Sequence, residues 1–198
     1  MSQADIGAFI ESVRFGTTTP TCVTAAVVAR GIPVSERHNN WLSETALHRA
    51  VRYKRRELLV ALSAAGADPN VKDADGWTSA WAAAYYSTAD ILQLLIKSGG
   101  NMNEPNDYGE TPLNALVKDA YGDAAARLKV LLACPQLALD AKYLGITAEQ
   151  WAMHTGRSEL AQAIAQERRR RMRWSASRFT WIATTNFGAC GSLRRFRN

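Results

Sequence analysis

The chain has 198 residues, 47% hydrophobic and 21% charged, with a formal net charge of +6. No apolar run approaches the roughly 20 residues of a membrane span. Acids at Asp5 and Glu11 and the lack of a long apolar core near the N-terminus argue against a signal peptide. Three cysteines, at 22, 134 and 190, form no CxxC pair and no even set. That count speaks against a disulfide framework and for a reducing setting, cytosol or nucleus.

In chain order, residues 4–15 set Ile6, Phe9, Ile10 and Val13 at helical spacing, and 22–29 form a second predicted helix. Arg30-Gly31-Ile32-Pro33-Val34 then reads as a closing segment. From residue 40 the text becomes periodic. Thr45, Thr78 and Thr111 are 33 residues apart and Thr147 follows after 36. Gly66-Ala67-Asp68-Pro69-Asn70 returns 33 residues on as Gly99-Gly100-Asn101-Met102-Asn103. Such a period means one supersecondary unit copied and stacked, which builds an interaction surface rather than a catalytic pocket.

The physical marks inside each unit agree. Each Thr can cap free N–H groups at a helix start, and Pro112 suits a first turn. Ala50, Ala83, Ala84 and Ala152 permit close helix approach, while Leu58-Leu59 with Leu62, and Ile91-Leu92 with Leu95, supply an apolar stripe. Gly66 and Gly99 suit left-handed helix ends. Asp73-Ala74-Asp75-Gly76 and Asn106-Asp107-Tyr108-Gly109 read as tight turns. The unit is thus helix, turn, helix, hairpin-like finger. Its third copy carries about three extra residues near 120–123 and a long ending, Leu131 to Asp140, in place of the Gly close. The expected meaning is a tolerated surface insertion, with a bent stack or a recognition feature as the alternative.

These residues resemble the ankyrin repeat family over about 40–165. Asp73, Gly76, Thr78, Ala83, Ala84, Leu94-Leu95-Ile96, Gly99 and Asn103 match the family pattern in register. So do Thr45, Leu47, His48, Ala50, Gly66 and Asn70, then Gly109, Thr111, Pro112 and Leu113, then Gly145, Thr147, Ala152 and Gly156. The resemblance implies an all-α solenoid of helix-turn-helix repeats with β-hairpin-like loops. The expected division is a degenerate N-terminal cap at 1–39, repeats at about 40–72, 73–105, 106–141 and 142–166, and a basic, Arg- and aromatic-rich C-terminal extension at 167–198. His48 falls on the family's structural histidine, while Trp81 stands at the same place in the next repeat and is expected to fill space between helices.

The resemblance also implies that a partner meets the finger tips and the inner face of each first helix. By register those are 20 positions, among them Trp41, Leu42, Glu44, Arg52, Tyr53, Trp77, Tyr85, Tyr86, Tyr108, Glu110, Lys118, Tyr143, Leu144 and His154. Seven are Trp or Tyr, where a chain that is 9% aromatic should give fewer than two. Rigid rings with a polar handle are common interface anchors. Trp41, Leu42, Tyr53, Trp77, Tyr85, Tyr86, Tyr108 and Tyr143 are therefore the candidate partner-binding residues of a concave, aromatic-rich face for a protein or peptide. Trp77 and Tyr85 could instead pack the fingers together.

Residues 167–198 hold nine Arg against one acid, Glu167, so the segment carries +8 and the remainder −2. A helix is expected over 158–172, with Arg168, Arg169, Arg170, Arg171 and Arg173 near its end, where cations complement the dipole. A solvated or loosely docked tail is the default reading; a nuclear address, or binding of RNA, DNA or an anionic membrane through Arg interleaved with Phe179, Trp181 and Phe187, is the alternative use. No nucleotide, metalloprotease or hydrolase motif occurs, and His38, His48 and His154 stand alone. Cys134 is expected to be a buried small apolar residue. The expectation is a non-enzymatic scaffold or adaptor, monomeric on its own, with no cofactor, metal or small-molecule substrate.

Overall fold

The computed structural model describes residues 3–15, 18–23, 35, 37, 43–119 and 122–187, with side chains described as far as residue 173. The elements are α1 (Gln3–Phe15), α2 (Ala46–Arg52), α3 (Arg56–Ala64), α4 (Ser79–Tyr86), α5 (Ala89–Lys97), α6 (Pro112–Asp119), α7 (Ala124–Leu132), β1 (Lys142–Tyr143), β2 (Ile146–Thr147), α8 (Ala148–His154) and α9 (Ser158–Phe187). Residues 20–23 are also helical. The rest of the second predicted helix and the closing segment 30–34 lie outside the described residues.

The helices form two rows. An inner row packs α1 on α2, α2 on α4, α4 on α6 and α6 on α8. An outer row packs α3 on α5, α5 on α7 and α7 on α9. Close inner packing needs small side chains, and Ala50, Ala83, Ala84 and Ala152 are fully buried there. The outer row contributes Leu59, Leu62, Leu92, Leu95, Leu128 and Leu131, each at most 1% exposed. Burying one such Leu contributes about 2 kcal/mol.

Threonine starts the inner helices. Its hydroxyl accepts from the N–H three residues on at Thr45, Thr78 and Thr147, and Asn114 N–H reaches Thr111 Oγ1 at 3.3 Å. His48 and Gln150 return a side-chain acceptor to the cap N–H, completing capping boxes. Gly66 and Gly99 close the outer helices at φ +86 and +87. The fingers turn where expected: Gly76 N–H donates to Asp73 O and Gly109 N–H to Asn106 O. The fourth finger is a true hairpin, β1–β2, with Lys142 opposite Thr147 and Tyr143 opposite Ile146. Its tip places Leu144 at φ 51, an uncommon conformation for a bulky residue.

Two expectations need correction. The last helix does not stop near Met172 but runs to Phe187. Arg168 to Arg171 therefore sit mid-helix, where no C-terminal dipole is available to them. Cys134, read as a buried small residue, is half-buried, because the close of the third repeat is irregular and brings it to the surface.

Candidate protein-interaction face

The second repeat carries a column of rings. Trp81 and Tyr85, four apart, share one side of α4, and Trp77, just before the extended Thr78 cap, brings its ring onto the same column. Trp77 stacks on Trp81 with centroids 4.4 Å apart and planes at 12°. Trp81 stacks on Tyr85 at 5.1 Å and 22°. Tyr86 meets Tyr85 edge-on at 4.6 Å and 84°. Trp81, at 3% exposure, is the buried centre of the column and fills space as expected. Its indole N–H has no hydrogen-bond partner among the described residues.

The backbone beneath Trp77 is fixed at both ends. Trp77 N–H donates to Asp73 Oδ1 at 2.8 Å, and Trp77 O accepts from Asp73 N–H at 2.9 Å. His48 of the preceding repeat adds its Nε2 to the same carbonyl at 2.9 Å. Since Trp77 O can only accept, Nε2 carries the proton and Nδ1 accepts from Thr45 N–H. Burial holds the His48 pKa down at about 4, so the ring is neutral. Burial likewise raises Asp73 to about 6, against the two backbone N–H bonds that favour its charge.

The flanking repeats differ at the same register positions. Where the second repeat has Trp77 and Tyr85, the first has Glu44 and Arg52, and the third has Glu110 and Lys118. Arg52 Nη2 lies 2.6 Å from Glu44 Oε1, and Lys118 Nζ lies 3.5 Å from Glu110 Oε1. The carboxylates Glu44 and Glu110, read as partner-facing, are buried at 1% and 6% exposure. The cations reach outward instead, because long stems let a charged head stay wet. Each then caps a ring of the following repeat: Arg52 over Tyr86 at 5.4 Å, Lys118 over Tyr143 at 5.1 Å. Arg49 joins Glu44 to Glu11 of α1, tying the first repeat to the helix before it.

The eight candidate residues thus fall into distinct settings. Tyr53 and Tyr108 are exposed. Trp77, Tyr85 and Tyr86 are half-buried in the ring column, and Tyr143 is half-buried against Trp151 at 6.2 Å. Trp41 and Leu42 lie outside the described residues. Register had already placed Leu144 at the fourth finger tip among the partner-facing positions but passed over Met153 on α8; their exposures of 75% and 64% extend the apolar surface.

The basic run is divided by helix geometry. Arg168 turns to Asp140 at 2.9 Å and Glu149 at 2.6 Å. Arg171 donates to the carbonyls of Leu132, Cys134 and Leu137 at 3.2, 2.8 and 2.7 Å, and to Glu167 at 2.8 Å. Arg170 is exposed but grips Glu167 through two bonds, which holds that carboxyl at about 2. Arg169 and Arg173 are exposed. Among the described residues no group of three or more His, Cys, Asp or Glu is placed to hold a metal ion, and no helix is long and apolar enough to cross a membrane.

Comparison with known proteins identifies the class. Residues 47–128 match the family described as ankyrin repeats, in three copies. This stretch is an ankyrin-repeat array, and the fold is an all-α repeat solenoid with one small two-stranded sheet among the described residues. Arrays of this class act as protein-interaction modules.

Particular relatives match part of the chain. The chain is 31% identical over 114 residues to the glycerophosphocholine phosphodiesterase gde1 of Schizosaccharomyces pombe, covering 57% of this chain and 10% of that protein. It is 36% identical over 78 residues to protein phosphatase 1 regulatory subunit 12A of Mus musculus, covering 39% and 8%. An ankyrin repeat-containing protein of S. pombe is 42% identical over 48 residues, covering 24% and 23%. The match thus spans less than a quarter of the length of each of these relatives.

Proposed function

We propose that this chain is a non-enzymatic scaffold or adaptor that grips a segment of a partner protein on the aromatic inner face of its array. The ring column Trp77–Trp81–Tyr85–Tyr86, continued by exposed Tyr53, Tyr108 and Leu144, is the observation that carries this reading. The likeness to a phosphatase regulatory subunit supports a recognition role, as does the absence of any catalytic motif in the sequence. We take 142–166 as a fourth repeat, 1–39 as a capping unit and 167–198 as an extension.

Binding of nucleic acid or an anionic membrane through the extension has weaker support, since Arg168 and Arg171 are turned into the array and Arg170 is held by Glu167. The test is affinity capture with cross-linking on the full chain, beside a Tyr53→Ala, Tyr86→Ala, Tyr108→Ala triple variant with retained helical circular dichroism. Loss of the captured protein is expected, with each anchor contributing about 2 kcal/mol. Undiminished capture by the folded variant would overturn the reading.

A further inference from the structure

One residue of the outer row breaks the repeat pattern. Leu58, Ile91 and Leu160 occupy equivalent positions in the first, second and fourth repeats, and all are buried. The third repeat has Arg127 there, at 0% exposure. A guanidinium enters an apolar stripe only where it finds acceptors, because burying it unpaired is prohibitively costly. Arg127 finds them in the preceding repeat: Nη1 donates to Ala84 O and to Tyr85 O, both at 2.8 Å, and Nε to Asp123 O at 3.3 Å.

Ala84 and Tyr85 lie in the last turn of α4, whose carbonyls lack intrahelical donors. Elsewhere the chain's own backbone supplies such donors, with longer side-chain bonds from the next repeat added: Ser87 Oγ to Val51 O and Arg157 Nη1 to Leu116 O, both at 3.4 Å. After α2, Lys54 N–H reaches Val51 O and Arg55 N–H reaches Ala50 O. After α8, Arg157 N–H reaches Ala152 O. Between α4 and α5 there are only Ser87 and Thr88, and Ser87 N–H goes to Ala83 O. The short link leaves the turn bearing Tyr85 and Tyr86 to be closed by a side chain from the next repeat.

We propose that Arg127 is a positioning residue for the aromatic face. From the third repeat's outer helix it fixes the final turn of α4, and through that turn the stack of Tyr85 on Trp81 and of Trp81 on Trp77. Arg52 of the preceding repeat lies over the Tyr86 ring. The consequence for partner binding rests on the interaction face proposed above; the geometric claim does not.

The experiment is partner-free. Arg127→Leu installs the residue found at the first and fourth equivalents, and Arg127→Lys retains a charge that can reach fewer acceptors. The Trp–Trp exciton signal in circular dichroism, assigned by its disappearance in Trp77→Phe, reports the stack. Amide-proton dispersion in NMR spectra reports the fold. Arg127→Leu is expected to remain folded and lose the signal, with Arg127→Lys between it and the parent. A wild-type signal in either folded variant overturns the proposal. So does unfolding of both, which would make Arg127 a requirement of the whole array. Should the stack collapse while capture by the triple tyrosine variant persists, Arg127 positions the rings but the interaction face lies elsewhere.

Discussion

The second and third repeats begin 33 residues apart on the same Gly and Thr marks, yet they solve the same structural problems differently. The second finger turns on Asp73, the third on Asn106; each uses Oδ1 to accept two backbone N–H groups, from Asp75 and Trp77 or from Tyr108 and Glu110. The second presents stacked rings where the third presents a carboxylate–ammonium pair. The second outer helix ends on Gly99, whose N–H bonds Ile96 O, with Gly100 N–H on Leu95 O. The third ends through Cys134 and Pro135, and Arg171 from α9 takes up its carbonyls. An outer helix that closes with its own backbone is locally self-sufficient. One that closes with a borrowed guanidinium depends on its neighbour.

Substitutions at equivalent positions sharpen that contrast. Gly76 and Gly109 both hold positive φ, at +75 and +81. A Cβ on Gly76 would fall 2.1 Å from Asp107 Oδ1 and 2.6 Å from Asp107 N, whereas one on Gly109 meets nothing within 4 Å. Gly76→Ala is therefore expected to cost about 3 kcal/mol and Gly109→Ala about 1 kcal/mol, read from urea midpoints. Equal costs would show that the second finger yields as easily as the third.

Arg171→Met should cost about 2 kcal/mol by removing a donor from the third repeat's closing carbonyls, of which Cys134 O alone keeps a backbone partner, Leu137 N–H. An unchanged melting temperature would mean that this close stands without α9.

Asp73→Asn gives the second finger the third one's side chain. It should stabilise by about 1 kcal/mol near pH 7, less than the full pKa shift because a neutral amide accepts weaker bonds. The sign follows from linkage. Asp73 has a folded pKa of about 6, above its unfolded value, so its favourable contribution is full at low pH and lost as pH rises through 6. The variant's advantage should therefore fade on acidification towards about pH 4. His48 runs the other way: its folded pKa of about 4 lies below the unfolded value, so stability is lost as pH falls between about 6.5 and 4. The two slopes oppose each other in the parent, and Asp73→Asn should expose the His48 loss. A parallel pH profile for parent and variant would refute this assignment.

The legible parts were those governed by local chemistry. Threonine caps, left-handed Gly66 and Gly99, the Asp73 and Asn106 turns and the Leu pairs all act within a few residues of themselves, so spacing alone exposes them. The face was only partly legible. Register found Tyr53 and Tyr108 at the surface but also pointed to Glu44 and Glu110, which the fold buries as counter-ions to outward-reaching cations. The arginine run was the least legible. Its composition reads as one charged block, but 100° per residue sends neighbours to different faces of α9, with Arg168 and Arg171 inward and Arg169 outward.

By itself the sequence determined the repeating unit and its period, because caps, turns and apolar stripes are short-range and recur visibly. The tertiary structure alone decided which carbonyls were left open and which distant guanidinium closed them. Arg127 reaches back 42 and 43 residues and Arg171 reaches back 34 to 39. Those pairings depend on how one repeat sits on the next, and no local pattern encodes that distance.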